Sequence, residues 1–74
     1  GGKTVIESGT DSVTVTFAKP FNQEPIITAT ASNPDVSFGV KDRSASGFTI
    51  YLKAPTTENQ EFSWIALPIE EKRE

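Results

Sequence analysis

The chain has no cysteine and no histidine. Without cysteine there is no disulfide, which excludes the disulfide-rich secreted scaffold and leaves the redox compartment open. Without histidine the commonest transition-metal ligand is missing. Losing both removes the usual groups of nucleophilic and acid–base catalysis. No run is long or apolar enough to cross a membrane as a helix, and no stretch reads as a signal peptide. Basic charge is short too. The formal net charge is −3, so the chain lacks the phosphate-binding footprint of a nucleic-acid binder. No phosphate-cradling glycine loop, zinc spacing or EF-hand pattern occurs. No internal repeat and no helical periodicity of ordinary length is present.

Carboxylates remain, and two can hydrolyse a glycoside. Asp11, Glu24, Asp35, Glu58 and Glu61 all fall in turns or at strand ends, where acidic residues are ordinary solvated groups. No catalytic residue, metal site or cofactor is expected, and the chain reads as a non-enzyme.

With 74 residues this is one domain. A chain this short buries only about 60% of its surface on folding. Domains below about 70–80 residues commonly need a disulfide, a metal or an oligomer. Oligomerisation is the staple left. Residues 1–68 are expected to form the domain. Residues 69–74 (IEEKRE) form a charged tail, frayed or leading into more protein. Gly1 and Gly2 read as a cloning remnant or a linker end.

What the chain does have is alternation. Phe48, Ile50 and Leu52 alternate with Thr49, Tyr51 and Lys53; Phe62, Trp64 and Ala66 alternate with Ser63, Ile65 and Leu67. Period two in β-prone residues predicts strands. The polar loop between them, with Pro55, predicts a hairpin over 47–67 in which Leu52 faces Phe62, Ile50 faces Trp64 and Phe48 faces Ala66. Four further strands are expected before it: 3–8, 12–18, 25–32 and 36–42. Gly9 marks a turn needing positive φ. Pro20 and Pro25 bound a loop whose Phe21 plugs one end of the core. Asn33–Pro34–Asp35 is a turn. Gly47 is expected in a left-handed position closing the 43–47 turn. Val40 should lie opposite Ile50 and Phe38 opposite Leu52. Cross-strand rows Phe38–Leu52–Phe62 and Val40–Ile50–Trp64 follow. The fold class is all-β, a small six-stranded antiparallel β-sandwich or flattened barrel.

The same parity places Tyr51 away from the core, with Gly39, Ser63, Lys41, Thr49 and Ile65 around it. An exposed tyrosine offers apolar area with a polar tip, suited to a sugar or an interface. Tyr51, Asp42 and Arg43 are therefore the candidate ligand-binding residues. Trp64 has core parity. Ser12, Thr14 and Thr16 read as a solvated strand face. Ile65 and Leu67 make the last strand apolar on both faces, as in strands covered on both sides. They are the candidate oligomer-interface residues.

Three stretches carry a resemblance: VTVTFAKPFNQEPII (13–27), GFTIYL (47–52) and FSWIA (62–66). Their order resembles the H-type lectin fold. It is similar also to small β-sandwich domains in tail, baseplate and fibre proteins of tailed bacteriophages. The likeness spans roughly residues 13–67. It implies a six-stranded antiparallel sandwich that assembles into homo-oligomers, often trimers. It implies also a structural or adhesion module of the virion tail region, extracellular, that recognises host-surface polysaccharide or docks other tail proteins. The alternative is a free secreted H-type lectin for N-acetylgalactosamine-like sugars. The stretch between the third strand and Gly47 is shorter than in the lectins and has no histidine. No sugar-contacting residue carries over, and the compact form suits the phage-type domains better.

Overall fold

The computed structural model describes residues 1–69. It is all-β, with six antiparallel strands and no helix among the described residues: β1 (Gly2–Ile6), β2 (Ser12–Thr16), β3 (Ile26–Ala31), β4 (Gly39–Lys41), β5 (Gly47–Tyr51) and β6 (Gln60–Leu67). They form two three-stranded sheets, ordered β1-β6-β3 and β2-β5-β4. Of the expected charged tail, residues 70–74 lie outside the described residues.

The expected 47–67 hairpin does not form. β5 pairs with β2 and β4, whereas β6 pairs with β1 and β3. The two strands are the centres of different sheets, and the 52–59 segment crosses between those sheets. Hydrogen bonds to the β1–β2 turn hold the crossing in place. Gly9 N–H donates to the Thr56 carbonyl at 2.8 Å, Thr56 N–H to the Thr10 carbonyl at 3.0 Å, and Ser8 N–H to Asn59 Oδ1 at 2.9 Å. These pairs satisfy backbone groups that a hairpin would have satisfied locally.

The predicted inward faces are nonetheless the observed ones. Ile6, Val15, Phe17, Phe48, Ile50 and Phe62 are buried and form the core, with Trp64 half-buried against it. Burying one such side chain contributes about 1.5–3 kcal/mol. Trp64 meets Phe48 across the sandwich at 5.4 Å between ring centroids and Phe17 at 5.7 Å; Phe38 meets Phe62 edge-on at 5.0 Å. The predicted rows therefore survive only in part. Val40 does lie opposite Ile50. Phe62 and Trp64 reach the row across the core, from the facing sheet. Phe21 packs edge-on against Phe17 at 5.2 Å, closing one end.

Other bounds shift. The fourth strand shrinks from 36–42 to Gly39–Lys41. Before it, Asp35 N–H donates to Asn33 Oδ1 and Val36 N–H to the Asn33 carbonyl, which keeps that stretch in a turn. After it, Asp42 takes φ 54° and ends the ladder. Asp42, and not Gly47, is the left-handed residue here; Gly9 has the expected positive φ, 87°. Gly47 opens β5, where a Cβ would clash with the Val15 carbonyl oxygen. Gly2 is no loose linker: it pairs opposite Trp64 in β1, below the indole ring.

Candidate functional site

The outer face of the β2-β5-β4 sheet gathers two of the three predicted ligand-binding residues, Tyr51 and Asp42. Antiparallel pairing puts directly opposed residues on one face. The register therefore builds two rows, Ser12–Tyr51–Gly39 and Thr14–Thr49–Lys41, with Thr16 opposite Gly47 beyond them. The hydroxyls of β2 reach Tyr51 only because β2, and not β6, takes the flank of β5. Ser63 and Ile65, expected beside Tyr51, lie instead on the outer face of the other sheet.

Tyr51 is 37% exposed. Its ring lies over Gly39 so closely that a Cβ there would sit 2.6 Å from Tyr51 Cζ. Lys41 Nζ stands 5.0 Å from the ring centroid, a cation–π distance. Next to them Thr49 is buried, and its Oγ1 shares a 3.1 Å hydrogen bond with Thr14 Oγ1. Thr14, Thr16, Asp42, Ser44, Ser46 and Thr49 line a shallow depression of about 330 Å³. Val15, Gly47 and Phe48 complete its lining, so hydroxyls and one carboxylate share the walls with backbone and apolar groups. Ser44 and Ser46 face each other at 3.1 Å between hydroxyl oxygens.

The structure thus brings Tyr51 and Asp42 to one face, on opposite sides of the Lys41–Thr49 row. Arg43 does not join them. Its Nε lies 4.0 Å from Glu24 Oε2, with both side chains about half exposed. Sequence parity pointed to Lys41 and Thr49. It did not pick out Thr14, Thr16 or Ser44 as neighbours, because alternation carries no information about which strand lies alongside.

A second surface is apolar. On the outer face of the β1-β6-β3 sheet, Ile65 and Leu67 are each 53% exposed, and Ile26, opposite Leu67, is 55% exposed. The parity of Ile26 was legible, but its place beside Leu67 needed the β3–β6 pairing. A concavity of about 710 Å³ lies at the Phe21 end between residues 19–23 and Pro68–Ile69. It gathers one charged side chain, Lys19, and is bordered by the last described residue. Among the described residues no group of three or more Asp or Glu side chains is placed to hold a metal ion. Searches of protein-family models, of curated proteins and of solved structures found nothing that matches this chain.

Proposed function

We propose that this chain is a non-enzymatic recognition module of a phage tail region, one that binds host-surface carbohydrate on the outer face of the β2-β5-β4 sheet. The observation that carries the reading is the Tyr51 ring, partly exposed and seated on Gly39, one residue row from a depression to which Thr14, Thr16, Ser44, Ser46 and Thr49 contribute hydroxyls. A sugar has an apolar face that stacks on an aromatic ring and hydroxyls that need donors and acceptors. The ring, the Lys41 ammonium, the threonine and serine hydroxyls and Asp42 supply both kinds of contact. Tyr51, Lys41, Thr14, Thr16 and Thr49 sit on strands, which hold them more rigidly than loops would, and Asp42, Ser44 and Ser46 sit in the short β4–β5 connection. The assignment to phage tails rests on the resemblance of residues 13–27, 47–52 and 62–66 alone, and fold does not imply function.

The exposed aliphatics favour a second role, assembly. Ile26, Ile65 and Leu67 form an apolar strip on the other sheet. Strips of this kind mark contact surfaces. A homo-oligomer repeats the Tyr51 site and turns weak sugar contacts into avidity. Docking to other tail proteins would use the same strip.

A glycan array, together with isolated host cell walls, tests the proposal. Binding that Tyr51→Ala abolishes, with the β-sheet circular dichroism unchanged, supports it. Binding confined to N-acetylgalactosamine-type sugars favours the free lectin. Absence of binding to either, with tight association to a tail protein, leaves assembly as the function.

A further inference from the structure

β3 is a sheet edge with little of the usual protection beyond Pro25, which precedes its first residue. Natural edge strands are kept from pairing by shortness, charge, proline, bulges or a covering element. β4 is three residues long, ends in Lys41 and is followed at once by Asp42 and Arg43. β1 carries Lys3, and it lies against β2 along one side of the sandwich. β3 and the residue after it read IITATAS, with no charge, no proline and no glycine. Its pairing with β6 is regular from Ile26 to Ala31, so no bulge bends it away.

The hydrogen-bond phase of this edge follows from one contact. Ser32 N–H donates to the Glu61 carbonyl at 2.9 Å, one step beyond the Ala31–Phe62 pair. In an extended strand backbone groups point alternately to either side. Ile26, Thr28 and Thr30 therefore face β6, while Ile27, Ala29 and Ala31 aim their N–H and C=O groups off the edge. Among the described residues, none of these three makes a backbone bond outside the β6 ladder.

We propose that β3 is a self-association edge, where a second copy of this chain adds its own β3 antiparallel and the two sheets become one. The register is determined by the chain itself. Parity requires inward residues to face inward residues. Only the register centred on Ala29 uses every free group, pairing Ile27 with Ala31 of the second copy and Ala29 with its own counterpart. Each such pair exchanges two backbone bonds. On the core side Ile27 then meets Ala31, and the two Ala29 methyls meet at the centre. On the outer side Thr28 faces Thr30 of the second copy, and threonine pairs are favourable across strands. The contact is isologous and closes at two copies. The inference rests on the proposed self-association and not on sugar recognition. It assigns the contact to the β3 edge instead of the Ile65–Leu67 face.

Sedimentation velocity with amide exchange tests it. The wild-type chain is expected to be a dimer at about micromolar concentration, the range of a modest strand-addition contact. Its Ile27, Ala29 and Ala31 amides should exchange more slowly as concentration rises. Thr28→Lys with Thr30→Lys sets like charges directly opposite each other. It should raise the dimer dissociation constant about tenfold or more while the circular dichroism stays that of the wild type. Mixing it with the Thr28→Glu, Thr30→Glu chain should restore a dimer. Ile65→Asp should leave the dimer intact. A wild-type monomer at about 100 µM would overturn both the edge and self-association itself, given the affinity such contacts reach. A trimer, or an oligomer lost on Ile65→Asp but kept in the double lysine variant, would overturn the edge and leave self-association standing.

Discussion

Gly39→Ala adds a single methyl group at the most crowded point of the candidate site. The new Cβ would lie 2.6 Å from Tyr51 Cζ, 2.7 Å from its hydroxyl oxygen and 2.8 Å from Cε1. Carbon atoms in ordinary contact are about 3.5–4.0 Å apart, so the ring must lift by about 1 Å. These atoms are the far end of a side chain that is partly exposed, so the ring should yield and the sheet should not. Moving it costs the Lys41 cation–π contact, about 0.5–1 kcal/mol at an exposed site. Replacing glycine inside a strand returns about 0.5–1 kcal/mol through the unfolded chain. The two nearly cancel, and thermal unfolding should shift by less than the about 4–8 °C that corresponds to 1 kcal/mol in a domain of this size. The site should change much more than the fold. In proton NMR the Lys41 ε-methylene should lose the upfield shift the ring imposes. Any sugar captured by the wild type should bind as weakly as it does to Tyr51→Ala. A stability loss of several kcal/mol would refute the reasoning, since the ring would then be locked into the fold. Unchanged Lys41 resonances would refute it too, because they would mean the ring does not cover Lys41 in solution.

Three other substitutions probe the frame. Phe62→Ala removes a fully buried ring that packs on Phe38; it should cost about 3–5 kcal/mol and abolish the cooperative thermal transition of so small a domain. Gly47→Ala drives a methyl against the Val15 carbonyl, a backbone atom unable to move without breaking the β2–β5 ladder. It should therefore destabilise far more than Gly39→Ala, as urea midpoints will show. Thr49→Val keeps shape but deletes the hydroxyl bonded to Thr14; a loss of about 0.5–1.5 kcal/mol is expected, and a larger one would mean that hydroxyl holds more than its Thr14 partner.

Which face each residue takes was legible in the second, fifth and sixth strands, though not in β1, where alternation did not single out Ile6. Phe48, Ile50 and Phe62 alternate with polar neighbours, and all three point inward. Which strand lies beside which was not legible. A hairpin and an arch between sheets impose the same alternation on Phe48–Ile50 and Phe62–Trp64, because both put these residues in one core. Length was the available hint, since an arch needs a longer connection than a tight hairpin turn. The site followed the same division. Tyr51, Lys41 and Thr49 were grouped from β4–β5 register, which a short turn makes local. The β2 hydroxyls and Ile26 came to their places by long-range pairing. Asp42 was singled out as a polar group near a turn. Its left-handed backbone, which turns the chain into the depression, depends on how β4 ends.

The arch between β5 and β6 also sets when this chain can fold. Of the four strand pairings only β4–β5 joins sequence neighbours; Gly2 must find Trp64 and Ile26 must find Leu67. Such high contact order places folding in the millisecond-to-second range of all-β domains, well behind helical bundles of equal length. During synthesis β1 and β3 have no mate until β6 leaves the ribosome, since β6 separates them in their sheet. Over that interval the uncharged β3 segment is exposed on both edges, and a neighbouring nascent chain offers it the same sequence.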